Sequence, residues 1–152
     1  MNLSPNFTLA ELTRSQAAAR LGIRNVPDEA QIEALRRVCQ HILEPVRAHF
    51  RMPVIVSSGF RSVRLNTRIG GSRTSQHAVG EAVDFEVPGV PNIDVARWIE
   101  ARGNFDQLIL EFYTPGEPNS GWVHCSWKLN RLRRLVLTKQ AGRSGYLPGL
   151  VA

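Results

Sequence analysis

Residues 72–85 constrain the fold of this chain most strongly, because they join a polar loop to a short apolar strand. Their only histidine, His77, stands seven residues before their only aspartate, Asp84, and Gly80 lies between the two. The apolar run at residues 82–87 predicts the strand that receives Asp84. A strand carries the chain back past the preceding loop, so the imidazole and the carboxylate are expected to converge on one point.

A third candidate ligand, His124, lies in residues 121–127, an aromatic and β-branched run that is typical of a strand. Side chains alternate between the faces of a strand, so His124 is predicted to share its face with Trp122. Zinc accepts imidazole nitrogens and carboxylate oxygens, and catalytic zinc sites typically use three protein ligands and one water molecule. His77, Asp84 and His124 therefore form a candidate zinc site.

Motifs around these residues occur in an order that resembles the M15 zinc peptidases. The pattern S-x-H-x-x-G-x-A-x-D begins at Ser75, and W-V-H follows at residues 122–124. Two upstream segments, S-G-F-R-S at residues 58–62 and I-G-G-S at residues 69–72, resemble the branch typified by the zinc D-alanyl-D-alanine carboxypeptidases. The M15 peptidases comprise such carboxypeptidases and peptidoglycan endopeptidases, and the hedgehog signalling domains share their fold. The similarity spans roughly residues 7–137.

The resemblance implies that zinc is held by His77, Asp84 and His124 and that Arg61 lies near the substrate. A guanidinium presents a fork of hydrogen-bond donors that matches a carboxylate. Arg61 is therefore a candidate for anchoring a substrate carboxylate or stabilising the developing oxyanion. In the alternative, Arg61 pairs with a carboxylate of the protein and holds its own loop.

Three further residues are assigned to substrate binding. Ser75 and Gln76 precede the ligand His77, and they are predicted either to orient it or to hydrogen-bond the substrate backbone. The carboxypeptidase branch carries H-x-H at its second histidine, and this chain has Trp122 where the first of those histidines would stand. We assign Trp122 to the substrate-binding residues.

Glu111 is the candidate general base. It lies in residues 107–113, which predict a strand, and residues 114–121 predict the hairpin loop that returns the chain into the strand of His124. A carboxylate in so apolar a strand is costly unless it is paired or functional. Glu111 is expected to lie beside His124 and to take a proton from water. Strand alternation predicts that the opposite face carries Leu108, Leu110 and Phe112.

The position of this base departs from a pattern common among M15 peptidases. Many members place their acidic catalytic residue a few residues before the second histidine, and the residue three before His124 is Gly121. Two other acids remain alternatives to Glu111. They are Glu117, in the predicted hairpin loop, and Glu81, three residues before the aspartate ligand.

Several helices accompany these strands. Thr8 and Glu11 form a capping-box pattern for a short helix that ends near Gly22. Asp28 then opens a longer helix with one apolar stripe, in which Pro45 is expected to cause a kink. The remaining predicted elements are a buried strand at residues 53–57, helices at residues 62–69 and 93–101, and a last strand within residues 128–139.

These elements predict an α+β fold in one domain of residues 1–152. A helical N-terminal part is expected at about residues 8–50, and the catalytic core at about residues 53–139. A small, mainly antiparallel sheet is expected to present the zinc site, with helices covering its other face. The turn-rich tail after residue 140 is expected to run irregularly over the surface.

Charge restricts the expected partners. The chain has 19 basic and 13 acidic residues, and its formal net charge of +6 favours anionic surroundings such as nucleic acid, lipid head groups or bacterial wall polymers. A nucleic-acid site would need aromatic residues among the basic cluster at residues 128–134, and none is present there. Nucleic acid is therefore not an expected partner.

The sequence also bears on location and redox state. The N-terminus lacks the basic segment and long apolar stretch of a secretory signal, and no apolar run reaches the length of about 18 residues typical of a membrane span. We expect a protein that is made in the cytoplasm and has no transmembrane segment. Cys39 and Cys125 lack C-x-x-C partners and are predicted to be buried thiols.

The resemblance implies zinc-dependent hydrolysis of peptide bonds in the peptidoglycan stem or cross-link, next to a D-amino acid. A compact basic chain of this kind resembles the phage-type lysins, which reach the wall through a holin or act from a virion. The expected partner is a wall peptide, and a monomer is expected. The alternative function is a non-catalytic, metal-containing binding module of the same fold, as in the hedgehog domains.

Overall fold

The computed structural model describes residues 1–152. The strands are β1 (Asn2–Ser4), β2 (Phe7–Thr8), β3 (Ile55–Ser58), β4 (Ala82–Glu86), β5 (Gln107–Tyr113), β6 (Trp122–Ser126), β7 (Leu135–Gln140) and β8 (Leu147–Pro148). The helices are α1 (Leu9–Thr13), α2 (Gln16–Leu21), α3 (Glu29–Val38), α4 (Glu44–Phe50), α5 (Val63–Arg68) and α6 (Asn92–Arg102). A π-helical turn at Cys39–Leu43 joins α3 to α4, and a 3-10 helix at Gln76–Val79 precedes β4. None of the helices has the length and apolarity that a membrane crossing requires.

Six strands form one mixed sheet in the order β3-β4-β6-β5-β7-β8, and β1 pairs separately with β2. Neighbours in the large sheet are antiparallel except β5 and β7, which run parallel. Residues 127–134 carry the chain from β6 past the start of β5, where Asp106 accepts a hydrogen bond from the Arg133 backbone N–H. The prediction of an α+β fold with a mainly antiparallel sheet is confirmed.

The register of the central strands aligns the predicted site residues. Asp84 on β4 lies opposite His124 on β6. On the other side of β6, Ile109 of β5 lies opposite His124, and Glu111 lies opposite Trp122. Residues two positions apart on a strand share a face. One face of the sheet therefore carries two of the candidate ligands and the carboxylate of Glu111.

The opposite face of the sheet packs against the N-terminal helices and α6. A cluster of 22 buried residues joins side chains of these helices with those of the sheet, including Val83, Phe85, Leu108 and Val123. Cys39 and Cys125 are buried in this cluster and unpaired, as predicted. Burial raises the pKa of Cys39 to about 12, so it stays a neutral thiol.

The helix predicted between Thr8 and Gly22 is divided into α1 and α2. The capping box forms as predicted, because Thr8 accepts a hydrogen bond from the Glu11 N–H and the Glu11 carboxylate accepts one from the Thr8 N–H. Ser15, however, is extended and caps α2 by accepting a hydrogen bond from the Ala18 N–H. The prediction of one continuous helix is wrong, because a second N-cap residue lies inside the helical pattern.

The longer helix begins at the predicted cap and is interrupted just before Pro45. Asp28 accepts a hydrogen bond from the Gln31 N–H at 2.8 Å. In the π-helical turn, the N–H of Glu44 bonds to the carbonyl of Cys39, five residues back. Proline lacks an N–H and disturbs the ordinary four-residue pattern. The regular helical hydrogen bonding is therefore interrupted by this wider turn, and the kink stays a prediction.

The predicted alternation along β5 breaks at Phe112. Leu108 and Leu110 face the core as predicted, but Phe112 has a φ of +50° and is 46% exposed. The register between β5 and β7 shifts between Leu110 and Tyr113, and Tyr113 takes the buried position. A bulge adds one residue to one strand of a pair. This bulge turns Phe112 away from the core, so the prediction that it shares a face with Leu108 and Leu110 is wrong.

Two edges of the sheet also differ from their predictions. The strand predicted at residues 53–57 is Ile55–Ser58, and within it only Val56 is buried, because β3 is an edge strand. The tail predicted to be irregular adds β8 to β7, and Leu147 lies opposite Thr138. β8 is an edge strand of two residues, which is too short to show an apolar or alternating pattern. The sequence therefore did not indicate it.

Candidate metal centre

Three buried side chains on β4, β6 and the 3-10 helix bring their ligand atoms together. Nε2 of His77 lies 3.3 Å from Oδ1 of Asp84 and 3.3 Å from Nδ1 of His124. Nδ1 of His124 lies 2.8 Å from the same aspartate oxygen. Atoms bonded at about 2.0–2.1 Å to one tetrahedral ion lie about 3.3 Å apart. The three residues therefore fit a divalent metal centre.

Local structure orients each of these candidate ligands. Asp84 and His124 are paired across β4 and β6. His77 lies in the 3-10 helix, which is capped by Ser75, whose hydroxyl accepts a hydrogen bond from the His77 N–H at 3.3 Å. The carbonyl oxygen of Gly59 lies 2.7 Å from Nδ1 of His77. A proton on Nδ1 is donated to this carbonyl, which leaves Nε2 free to bind a metal ion.

The electrostatic environment keeps the central aspartate ionised. Burial alone would raise the pKa of Asp84, but the facing imidazoles of His77 and His124 hold it below its usual range. A carboxylate binds a metal ion in its ionised form. The charge state of Asp84 therefore matches that of a metal ligand.

The candidate ligands line a cleft of about 580 Å³. The same cleft is lined by all five residues predicted for catalysis or substrate binding, which are Arg61, Ser75, Gln76, Glu111 and Trp122. Glu81 and Glu117, the alternatives to Glu111, do not line it. The lining residues that sequence patterns did not indicate include Phe112, Arg133, Leu137 and Tyr146.

These four residues reach the cleft through tertiary structure. Phe112 does so because of the β5 bulge. Arg133, Leu137 and Tyr146 follow the W-V-H strand and belong to none of the motifs. The sequence signals among them are the basic cluster that contains Arg133 and the aromatic residue in a turn-rich tail at Tyr146.

Glu111 lines the cleft with the candidate ligands, in an environment that affects its protonation. Trp122, its neighbour across the strands, stands two residues before His124. Burial raises the pKa of Glu111 above its usual range, although the positive charges of Lys139 and Arg61 oppose this shift. A carboxyl group with a raised pKa is suited to accept and release a proton near neutral pH.

Arg61 presents a guanidinium that has no carboxylate partner in the protein. Its Nε atom is buried without a hydrogen-bond partner, and its Nη2 atom lies 3.5 Å from the Ser75 hydroxyl. Burial lowers the pKa of Arg61, whereas the charges of Asp84 and Glu111 oppose this shift. Arg61 does not pair with a protein carboxylate in this structure, so that alternative is wrong. The guanidinium therefore lines the cleft without a carboxylate partner in the protein.

Gln76 is held in place by a buried acid. Its Nε2 atom donates a hydrogen bond to Asp106 at 3.1 Å. The Nε and Nη2 atoms of Arg133 donate to the same carboxylate at distances of 2.8–3.2 Å, and Asp106 is fully buried. These contacts restrain Gln76 next to His77. They favour an orienting role for Gln76 over direct contact with a substrate.

Gly121 has no space for a side chain. Its φ is +67°, and a Cβ atom there would lie 1.9 Å from the carbonyl oxygen of Glu111. An acidic side chain three residues before His124 is therefore incompatible with the approach of β5. The glutamate that lines the cleft with the candidate ligands comes from β5, at Glu111.

We expect Gly121→Ala to lower the free energy of unfolding by about 2–4 kcal/mol, because the methyl group meets the Glu111 carbonyl and the residue must keep a positive φ. Gly116→Ala is the matched control, since Gly116 has a φ of +85° but no atom within 4 Å of the added Cβ. The control is expected to lose about 1–2 kcal/mol. Chemical denaturation measures both variants, and equal losses would contradict the close approach at Gly121.

Most of the chain matches a known protein family. A family model described as Peptidase M15 matches residues 5–126. The matched segment contains the three candidate ligands, Arg61 and Glu111, and it ends before β7. A comparison with curated proteins finds no match.

Proposed function

The chain belongs to the M15 peptidase family, and from this premise we propose that it is a zinc-dependent peptidase that acts on the peptides of peptidoglycan. The observation that carries the proposal is a single cleft that contains the buried group His77, Asp84 and His124 together with the carboxylate of Glu111. Two imidazoles and one carboxylate form a donor set found in catalytic zinc sites. Family membership supports peptide-bond hydrolysis as the reaction.

Glu111 and Arg61 have proposed roles in the reaction. When bound, zinc supplies Lewis acidity that polarises the scissile carbonyl and lowers the pKa of water. Glu111 accepts a proton from the attacking water and passes it to the leaving amine. The raised pKa of Glu111 supports this transfer, because it makes the carboxylate a stronger base toward the attacking water. Arg61 donates hydrogen bonds to a substrate carboxylate or to the developing oxyanion.

Two properties of the chain support a wall peptide as the substrate. The stem peptides carry free carboxylates, and the net charge of +6 favours anionic wall polymers. Inside the cleft, Arg61 offers donors without a protein partner to such a carboxylate. Ser75 and Trp122 line the same cleft, and their proposed role is contact with the peptide. The motif resemblance to D-alanyl-D-alanine carboxypeptidases supports a bond next to a D-amino acid, in the stem or in a cross-link.

Digestion of purified Gram-negative peptidoglycan by the zinc-loaded protein tests this function. We expect new muropeptides whose masses identify the bond, either through loss of a terminal D-alanine or through cleavage of a cross-link. A chelator should prevent their formation. A folded, zinc-loaded protein that releases no product from the wall or from synthetic stem peptides would instead support a binding module of the same fold.

Arg61→Ala is expected to raise KM about 10- to 100-fold for a stem peptide with a free terminal carboxylate, because a charge-assisted hydrogen bond is lost. The effect should be smaller for the same peptide with an amidated C-terminus. Arg64→Ala is the control, because Arg64 is exposed, does not line the cleft and carries the same charge. Equal effects of Arg61→Ala on the acid and the amide would rule out carboxylate recognition.

We further propose phage-type lysis as the biological setting, which the basic charge and the resemblance to lysins support. The protein would then reach the wall through a holin or act from a virion. Adding the zinc-loaded protein to cells with a permeabilised outer membrane is expected to reduce turbidity. Export of the native protein through its own secretion route in uninfected cells would count against this setting.

A further inference from the structure

We propose that Tyr146, near the C-terminus, contacts the peptide substrate on the Glu111 side of the cleft and donates a hydrogen bond to it through the phenolic hydroxyl. This inference rests on the proposed peptidase function. It extends the substrate-binding surface to residues 127–152, which lie outside the segment that matches the family model. The acceptor we infer is an amide carbonyl of the substrate on the N-terminal side of the scissile bond.

The segment that carries Tyr146 is anchored to the sheet. β8 pairs with β7, and Thr138 of β7 is fully buried. The Thr138 hydroxyl donates a hydrogen bond to the Gly149 carbonyl at 2.8 Å and accepts one from the Val151 N–H at 3.0 Å. A side chain that positions a substrate must itself be held in place. The last hairpin meets this requirement.

The strand register directs Tyr146 toward the face that carries the metal ligands. The pairing of β7 with β8, continued by one residue, places Tyr146 next to Lys139. Leu137 stands two residues before Lys139 and therefore shares its face. Leu137 lies opposite Ile109 of β5 and lines the cleft, as Tyr146 does.

The hydroxyl of Tyr146 is available to a ligand. The residue is 53% exposed, and its hydroxyl makes no hydrogen bond to the protein. Burial of the ring and the negative charges of Glu111 and Asp84 raise the pKa of Tyr146, so the group remains a neutral donor. The adjacent Lys139 lies over the ring of Phe112, with Nζ 5.2 Å from the ring centre. Tyr146 is thus an uncharged donor without a protein partner on this side of the cleft.

The strand order places Tyr146 and Arg61 at opposite sides of the metal centre. Arg61 follows the edge strand β3, whereas Tyr146 precedes the other edge strand, β8, and the ligand strands β4 and β6 lie between them. Phe112 of β5 and Trp122 of β6 belong to strands between these two edges, and their ring centres lie 5.1 Å apart. The two stacked rings form an apolar surface of the cleft. A substrate with its carboxylate at Arg61 and its scissile bond at the metal centre therefore extends toward Tyr146 with its N-terminal part.

Two substrates and two substitutions test this placement. The substrates are a complete stem peptide and its shortest cleaved form, which lacks the residues N-terminal to the scissile pair. Tyr146→Phe is expected to lower kcat/KM for the complete peptide about 3- to 10-fold and to leave the short form within about twofold, because one neutral hydrogen bond is lost. Tyr146→Ala should lower the value for the complete peptide further. Ser144→Ala, an exposed change in the same turn and outside the cleft, is the control and should behave as wild type.

Zinc content and melting temperature are measured for every variant, since a structural role of Tyr146 would change them. A Tyr146→Phe variant with wild-type kcat/KM on the complete peptide would overturn the inference, and so would equal losses on both substrates. If the wild type turned over no wall peptide, the proposed function would fail. Calorimetric binding of the stem peptide would still decide the inference, since an unchanged Kd for Tyr146→Phe overturns it and a 3- to 10-fold weaker Kd supports it.

Discussion

His124→Ala is expected to release the metal ion and to reduce peptide hydrolysis by at least about 1,000-fold, because the ion supplies several kcal/mol of stabilisation to the transition state. The candidate centre has three protein ligands, so the variant retains only His77 and Asp84. It also removes the imidazole that lies 2.8 Å from the buried aspartate oxygen. Metal content after dialysis and turnover of a stem peptide measure the two effects.

His49→Ala is the matched control for this substitution. His49 stacks on Trp98 at 4.4 Å and belongs to no group of candidate ligands. This control is expected to keep one equivalent of metal and wild-type turnover. Added zinc should raise the melting temperature of the wild type but not that of His124→Ala, because only a ligand of the folded state stabilises it. A His124→Ala protein that keeps one tightly bound metal ion would contradict the ligand assignment.

Glu111→Gln is expected to lower kcat by about 100- to 10,000-fold while the metal content stays at the wild-type level. Glutamine has nearly the same shape as glutamate, so the β5 bulge and the cleft are preserved. Its amide cannot accept the proton of the attacking water. Single-turnover kinetics with a stem peptide, together with metal analysis, separate this loss of proton transfer from a loss of the metal ion.

Glu81→Gln and Glu117→Gln are the controls for the base assignment. Both acids lie outside the cleft, and both changes are expected to leave kcat within about twofold of wild type. The base assignment would be wrong if either control lost turnover while Glu111→Gln remained active. Gly121 itself offers no alternative base, because the approach of β5 leaves no space for an acidic side chain at that position.

The approach of His77 to Asp84 was predictable from a short-range pattern, whereas the place of His124 beside them was implied by the motif resemblance. A loop followed by an apolar run placed His77 near Asp84, and period-two alternation placed His124 on the same face as Trp122. The structure brings the ligand atoms to within 3.3 Å of one another. Their role in binding zinc and the division into a helical part and a catalytic core stay predictions.

The partners of side chains were not predictable, because they depend on segments distant in the chain. The sequence left open whether Arg61 pairs with a protein carboxylate, and only the packed structure leaves its Nε without a partner. The bulge at Phe112 has no local signal, since it results from a shift in the pairing of β5 with β7. Tyr146 reaches the cleft only because β8 pairs with β7.

The sequence by itself indicated the family through motifs that resemble the M15 peptidases. It also indicated the α+β class, because turns, caps and strand alternation are local properties of the chain. The tertiary structure alone decided which carboxylate stands beside the candidate ligands. The β5–β6 hairpin sets Glu111 opposite Trp122 and leaves Gly121 no space for a side chain. Strand register depends on contacts between distant segments, and a shift by one residue would move Glu111 to the other face of the sheet.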